Sequence, residues 1–222
     1  MPGYAFLASA AVIAFATGAQ AHSVVRPHRA ALSVLWNQNS PDSNNISSQN
    51  YTSGAFTDDD SAGADDFVVP KGEVWTIEEA DVSGVDSYYP VSSMTITFYK
   101  NQEGRNGSID MPGKVVKHAA YSAVECTESG AGNYACMLPG GGSKGTKYPR
   151  FKAGHYWVSV VANGNYIFSW SWSENGIITG DAAEWENPGG GLGTGCATWN
   201  TLSGCGGAAG DFAFDLQGTA RK

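Results

Sequence analysis

The sequence predicts an all-β fold, an antiparallel β-sandwich of the jelly-roll type, from three observations. Short stretches in which apolar and polar residues alternate recur along the chain, as half-buried strands require. Glycine, proline, asparagine and aspartate separate these stretches and supply the turns between them. After residue 21, no stretch of ten residues combines helical periodicity with helix caps, so we expect no substantial helix.

The N-terminal segment predicts export. Residues 1–21 form an apolar run that ends in Ala19-Gln20-Ala21, the small-x-small pattern that a signal peptidase cleaves. A membrane anchor needs about 20 apolar residues, and this run is broken at Thr17-Gly18. We therefore expect a signal peptide at residues 1–21 and a single β-sandwich domain at residues 22–222. The product is expected to be secreted, either extracellular or periplasmic.

The first half of the domain contains three expected strands. Residues 31–36 read as the first strand, and residues 73–77 as a strand that follows a turn at Lys71-Gly72. The alternation slips at Glu78-Glu79, which indicates a β-bulge. In residues 93–99, three apolar side chains share one face, those of Met94, Ile96 and Phe98.

The second half contains an expected hairpin and a closing strand. Residues 155–161 and 166–173 are both rich in β-formers and flank Asn163-Gly164, the strongest short signal for a β-hairpin. The closing strand spans residues 212–217, where Phe212, Phe214 and Leu216 share one face.

The charge balance limits the partners. The chain has 13 basic and 21 acidic residues, a formal net charge of −8. Nucleic acids and anionic membranes both attract basic surfaces, so we expect neither as a partner after signal cleavage. Self-association stays open.

The four cysteines predict disulfides. Cys126, Cys136, Cys196 and Cys205 all follow the signal peptide, and an even number in an exported chain favours disulfide bonds. Of the three possible connectivities, pairing of Cys126 with Cys136 and of Cys196 with Cys205 closes two short loops and demands least of the fold. The spacing does not match a zinc site made of cysteines.

Several segments together resemble a group of bacterial exported β-sandwich modules. The motifs are ADDFxVPxGxxWTI at residues 64–77, YWVSV at 156–160, WxNPGGGxGTGC at 185–196 and DxxFxLxGT at 211–219. The resemblance covers roughly Leu32 to Ala220. It implies a jelly-roll-like fold and export, and no established activity.

An acidic run suggests calcium as a structural cofactor. Five aspartates within residues 58–66 offer hard oxygen ligands in a glycine-containing loop, which is the chemistry that calcium prefers. The alternative is a solvated loop whose aspartates cap turns. The candidate ligands are Asp58, Asp60, Asp65, Asp66 and Asp211, the last on the expectation that the closing strand lies beside residues 65–66.

The alternative metal is copper, which would make the protein a copper-dependent enzyme. Cleavage before His22 would leave an N-terminal histidine, whose amine and imidazole can chelate copper together with a second histidine. Such a histidine brace is found in lytic polysaccharide monooxygenases, which are also secreted β-sandwiches. The candidate second ligands are His118 and His155, although His155 leads into a periodic strand where a structural role is expected.

Aromatic residues in loop-like contexts suggest carbohydrate binding. Tyr88, Tyr89, Trp185 and Trp199 are flanked by small and polar residues, and flat aromatic faces suit sugar rings. The alternative is that each closes one end of the sandwich. The sequence therefore predicts a secreted, non-catalytic binding or surface-interaction module with a polysaccharide or cell-surface glycan as its first ligand class. The alternatives are a copper-dependent oxidative enzyme and a structural subunit of an extracellular matrix or filament.

Overall fold

Two β-sheets, one large and one small, enclose a common apolar core in the computed structural model. The structure describes residues 32–52, 54–87, 91, 93–104, 108–140, 147–164 and 169–222. Within it, residues Leu32–Lys222 form one compact unit. The expected signal peptide, His22, Tyr88 and Tyr89 lie outside the described residues. The all-β prediction is confirmed, and none of the described helices is long and apolar enough to cross a membrane.

The strands are numbered in chain order. They are β1 (Ser33–Asn37), β2 (Asn45–Ser47), β3 (Gln49–Tyr51), β4 (Ala62–Val82), β5 (Gly84–Asp86), β6 (Ser93–Gln102), β7 (Met111–Val124), β8 (Cys126–Gly130), β9 (Asn133–Met137), β10 (Arg150–Gly164), β11 (Trp170–Asn175), β12 (Glu184–Glu186), β13 (Asn200–Thr201), β14 (Asp211–Phe212) and β15 (Phe214–Arg221). Two short 3₁₀ helices span Thr57–Asp59 and Leu202–Cys205.

The large sheet has the central order β1-β15-β4-β10-β6-β7, with β3, β8, β9, β12 and β13 attached to it. Its pairs are antiparallel except that β3 runs parallel to β10. The small sheet has the order β14-β11-β2, with β5 also paired to β11.

Strand β4 is central to the large sheet, because it pairs with four other strands, β9, β10, β12 and β15. The expected bulge is confirmed. Gln217 pairs with Glu79 and Gly218 with Ile77, so Glu78 is the extra residue. Strand β6 is also as predicted, with Met94, Ile96 and Phe98 fully buried.

The hairpin prediction at Asn163-Gly164 is wrong. Strand β10 pairs with β4 and β6, whereas β11 pairs with β2, β5 and β14 in the other sheet. The carbonyl of Gly164 accepts hydrogen bonds from the backbone and hydroxyl of Thr52, just after β3. The chain therefore crosses from one sheet to the other after β10, and both apolar faces still reach the core.

The expected closing strand is divided between the sheets. Phe212 belongs to β14 and stacks on Trp172 of the small sheet, with ring centroids 4.4 Å apart. Phe214 and Leu216 belong to β15 of the large sheet, and all three side chains are fully buried. The last strand segment thus joins the two sheets at the core.

Both local disulfides are confirmed. Cys126 in β8 is bonded to Cys136 in β9. Cys196 is bonded to Cys205, and this bridge closes the loop that carries β13 and Trp199.

Candidate functional site

The outer face of the large sheet carries the candidate site. Trp157 of β10 pairs with Asp66 of β4 on one side and with Tyr99 of β6 on the other. Directly paired residues point to the same face, and their neighbours Val158 and Phe98 belong to the core. Asp66, Trp157 and Tyr99 therefore point away from the core.

Asp66, His155 and Asp181 converge on this face. His155 lies two residues before Trp157 and so shares its face, while Asp181 comes from the segment between β11 and β12. The Nε2 atom of His155 is 2.7 Å from Oδ2 of Asp66 and 3.6 Å from Oδ2 of Asp181. One donor atom from each of the three residues lies within 4.8 Å of the other two.

The Asp66 carboxylate is fixed from behind. Its Oδ1 atom accepts a hydrogen bond of 3.0 Å from the backbone of Asp181, and the side chain is fully buried. Gly180 lies against it with a φ of +101°, and a Cβ atom there would stand 2.4 Å from Oδ2. Only glycine fits this position, so the backbone of the 180–181 segment closes over Asp66.

Asp110 connects the cluster to a neighbouring cleft. Its Oδ2 atom is 3.8 Å from Nδ1 of His155 and accepts a 2.5 Å hydrogen bond from Asn101. Asn101 in turn accepts a hydrogen bond of 2.8 Å from the indole of Trp157. The open cleft has a volume of about 710 Å³ and is lined by Asn101, Gln102, Glu103, Gly104, Ser108 and Met111.

The site combines one imidazole with three carboxyl groups, and interactions among these groups shift pKa values within the site. Burial lowers the pKa of His155, but Asp66, Asp181 and Asp110 outweigh this effect and raise it. Burial raises the pKa of Asp66, and His155 opposes that rise. Backbone and Asn101 hydrogen bonds lower the pKa of Asp110, which stays ionised. The cluster therefore has negative charge in excess around one imidazole.

Further buried acids surround the cluster. Burial raises the pKa of Glu184 to about 8, and both of its oxygens are buried without a hydrogen-bond partner among the described residues. Burial also raises the pKa of Asp211 to about 7, although the backbone of Thr179 donates to its Oδ2 atom. Asp65 points to the core side, and both of its carboxylate oxygens accept hydrogen bonds, from Gln38 and two backbone amides.

The predicted calcium ligands do not gather around one ion. Asp58 is exposed and Asp60 accepts a hydrogen bond from the backbone of Tyr51. Asp211 does lie near residues 65–66, as expected, since its charge acts on both. Within the described part of the chain, the group able to hold a metal nevertheless includes Asp66 alone of the five.

The copper hypothesis gains no support from the described residues. His118 is exposed on β7, and it is not part of the group formed by His155. Because His22 lies outside the described residues, the brace itself stays a prediction.

The prediction that Trp185 binds a ligand is wrong. Trp185 is fully buried and pairs with Gly63, and its indole donates to the carbonyl of Ser47. Trp199, from the same loop, is half-buried and packs edge-on against Tyr99 with ring centroids 6.0 Å apart. Trp199 therefore stays a candidate, now on the outer face.

Sequence reasoning missed Asp181, Asp110 and Asn101. Asp110 and Asp181 lie in segments between strands and are ordinary turn residues by type, and Asn101 lies near the end of β6. The one usable signal was the alternation that puts His155 and Trp157 on the same face of one strand. A histidine and an indole both carry polar groups, so this face is more polar than a core-facing one. No protein-family model, curated protein or solved structure matches the chain.

Proposed function

We propose that the protein is a secreted, non-catalytic binding module that takes a carbohydrate on the outer face of the large sheet. The observation that carries the proposal is the partly exposed ring of Trp199, which lies against Tyr99 on the outer face, on the strand that also leads into the polar cleft. The two disulfides support export, because such bonds persist in oxidising compartments.

Sugars are held by a flat apolar contact together with several polar ones, and both are close together here. Asn101 lies two residues beyond Tyr99 on the same face of β6, a separation of about 7 Å. The cleft adds the side chains of Gln102, Glu103 and Ser108, which donate to or accept from hydroxyl groups. Trp199 supplies the flat face, and the cleft supplies the hydrogen bonds.

The rigidity of this surface also favours binding. Glu186 accepts a backbone hydrogen bond from Trp199, and the Cys196–Cys205 bond closes the loop on both sides of it. A preorganised aromatic loses little conformational entropy when a ligand binds.

The test is the Trp199→Ala variant in pull-down and affinity-electrophoresis assays with cellulose, chitin, xylan and mixed-linkage glucan. We expect a wild-type protein that is retained by at least one polysaccharide, and a variant whose retention falls by about tenfold or more. Trp199→Phe should keep part of the retention because it keeps a flat ring.

Leu192→Ala is the matched control, since it removes an exposed apolar side chain from the same loop. It should leave retention unchanged. Equal retention of the Trp199→Ala variant and the wild type, with both folded, would overturn the proposal. Binding that is lost equally in the Leu192→Ala variant would contradict the role of the ring.

A further inference from the structure

Three donor atoms on the outer face are arranged as ligands of one ion. Ligands bound to a common ion at about 2.0–2.2 Å lie about 3 to 3.5 Å from one another at tetrahedral or octahedral angles. Nε2 of His155 is 2.7 Å from Oδ2 of Asp66 and 3.6 Å from Oδ2 of Asp181. Small side-chain adjustments bring these atoms to the required separations.

The donor atoms are buried and face each other. Oδ2 of Asp66 and Nε2 of His155 lie 2.7 Å apart and, among the described residues, meet no further hydrogen-bond partner. A proton shared between them makes an ion pair. A metal ion in place of that proton satisfies the same two buried atoms.

The surrounding residues hold the donors in the manner of a metal site. The backbone of Asp181 fixes Oδ1 of Asp66, which leaves Oδ2 directed at His155. The other ring nitrogen of His155 lies 3.8 Å from the Asp110 carboxylate, and Asp110 is itself held by Asn101 and Gly104. Metal-bound histidines commonly direct their second nitrogen to a carboxylate in this way.

The donor set selects the class of ion. Calcium and magnesium take oxygen ligands, whereas imidazole suits zinc and the later transition metals. Asp181 and His155 are partly exposed, so an ion can enter from solvent and keep a water ligand on that side. We infer that Asp66, His155 and Asp181 bind one divalent transition-metal ion, with zinc as the first expected occupant.

This inference is independent of the carbohydrate site. The cleft residues and Trp199 are not among the three ligands, although Asp110 contacts both His155 and the cleft residue Asn101. The alternative is an ion pair between protonated His155 and Asp66 with no metal.

The experiment is calorimetric titration of the chelator-stripped, desalted full chain with zinc, manganese and calcium chlorides in turn. We expect one zinc ion per chain, weaker binding of manganese and no calcium binding at this site. In spectra of protein with ¹⁵N-labelled histidine, zinc should shift the Nε2 signal of His155 and leave its Nδ1 protonated.

Variants connect the binding to these residues. Asp181→Asn and His155→Gln should each lower zinc affinity by more than tenfold, and Asp110→Asn by about tenfold through the orientation of His155. Asp58→Asn is the matched control, because it removes an exposed aspartate of the 3₁₀ helix. Its zinc affinity should equal that of the wild type.

Two results would overturn the inference. Failure of the wild type to bind zinc or manganese in the submillimolar range leaves the ion pair as the explanation of the cluster. Zinc binding that persists unchanged in both Asp181→Asn and His155→Gln places the metal elsewhere on the chain. Thermal unfolding of each metal-free variant confirms that the comparison is between folded proteins.

Discussion

Adjacent residues of this chain differ sharply in environment. Asp65 and Asp66 are neighbours and both fully buried, but Asp65 faces the core side and Asp66 the outer face. Asp65 receives three hydrogen bonds from Gln38 and two backbone amides, whereas Oδ2 of Asp66 faces the imidazole of His155 at 2.7 Å. The sequence identifies two acids here but not which of them faces His155 on the outer side of the sheet.

Glu184 should make stability depend on pH. The native state raises its pKa from 4.5 to about 8, so between these pH values the folded protein holds a proton that the unfolded chain has released. The free energy of unfolding therefore falls as pH rises through this range and levels off above pH 8. At about 1.4 kcal/mol per pKa unit, the loss amounts to a few kcal/mol.

The check is urea unfolding with chelator present across this pH range, for the wild type and for Glu184→Gln. The variant carries no charge at this position, so its stability should change less with pH and exceed that of the wild type at pH 8. Parallel pH profiles for the two proteins would contradict the assignment.

Gly180 should resist substitution more than Gly190, which shares its positive φ. Gly180→Ala combines a strained positive φ with a collision against the Asp66 carboxylate, and we expect a loss of about 1–3 kcal/mol. Gly190 also has a positive φ, +72°, but open space around the added methyl group. In chemical denaturation Gly190→Ala should therefore lose less, and equal losses would show that the contact with Asp66 is unimportant.

At the scale of elements, local patterns predicted strands better than partners. The alternation of residues 93–99 and the slip at Glu78 were both confirmed, because each depends on the side chains of one strand. The Asn163-Gly164 signal failed because the following strand finds its partners in the other sheet. Pairing is decided by distant segments, such as β3 at the end of β10.

The dependence of strand pairing on distant segments also explains why the two tryptophans of residues 185–205 differ in burial. Trp185 and Trp199 stand in similar local sequence, but Trp185 belongs to β12 and pairs with Gly63 of β4. Gly63 also leaves room for the rings of Phe212 and Trp172, which a Cβ atom would meet at 2.7 and 3.2 Å. Burial of Trp185 thus depends on a residue 122 positions earlier, which no local pattern reveals.

The two disulfides should contribute equally to the stability of the protein but differ in their contribution to polysaccharide binding. They close loops of similar length, with separations of 10 and 9 residues, so replacing either pair by alanine should cost about 2–3 kcal/mol. Only the Cys196→Ala, Cys205→Ala protein should also lose polysaccharide retention, because that bond holds the loop of Trp199. Unchanged retention in this variant, or an equal loss in the Cys126→Ala, Cys136→Ala variant, would contradict the role of the loop.

For the whole molecule, the acidic balance and the two-sheet architecture were predictable, but the connection between the sheets was not. The alternation of Phe212, Phe214 and Leu216 predicted one strand with one buried face. The faces are indeed buried, but the strand is divided, since Ala213 bonds to both Ser83 and Ser173 between β14 and β15. A sandwich core accepts apolar residues from either sheet, so the alternation does not specify which sheet a residue joins.

This division should make the two sheets unfold together. Phe212 stacks on Trp172 in the small sheet, and two residues later Phe214 enters the large sheet, so neither sheet can separate without opening the shared core. With disulfides intact, guanidinium unfolding followed by tryptophan fluorescence and by far-ultraviolet circular dichroism should give one coincident transition. Phe212→Leu should shift both curves equally, by about 1–3 kcal/mol, although the residue belongs to the small sheet. Two separated transitions, or a shift confined to one probe, would show that the sheets are independent units.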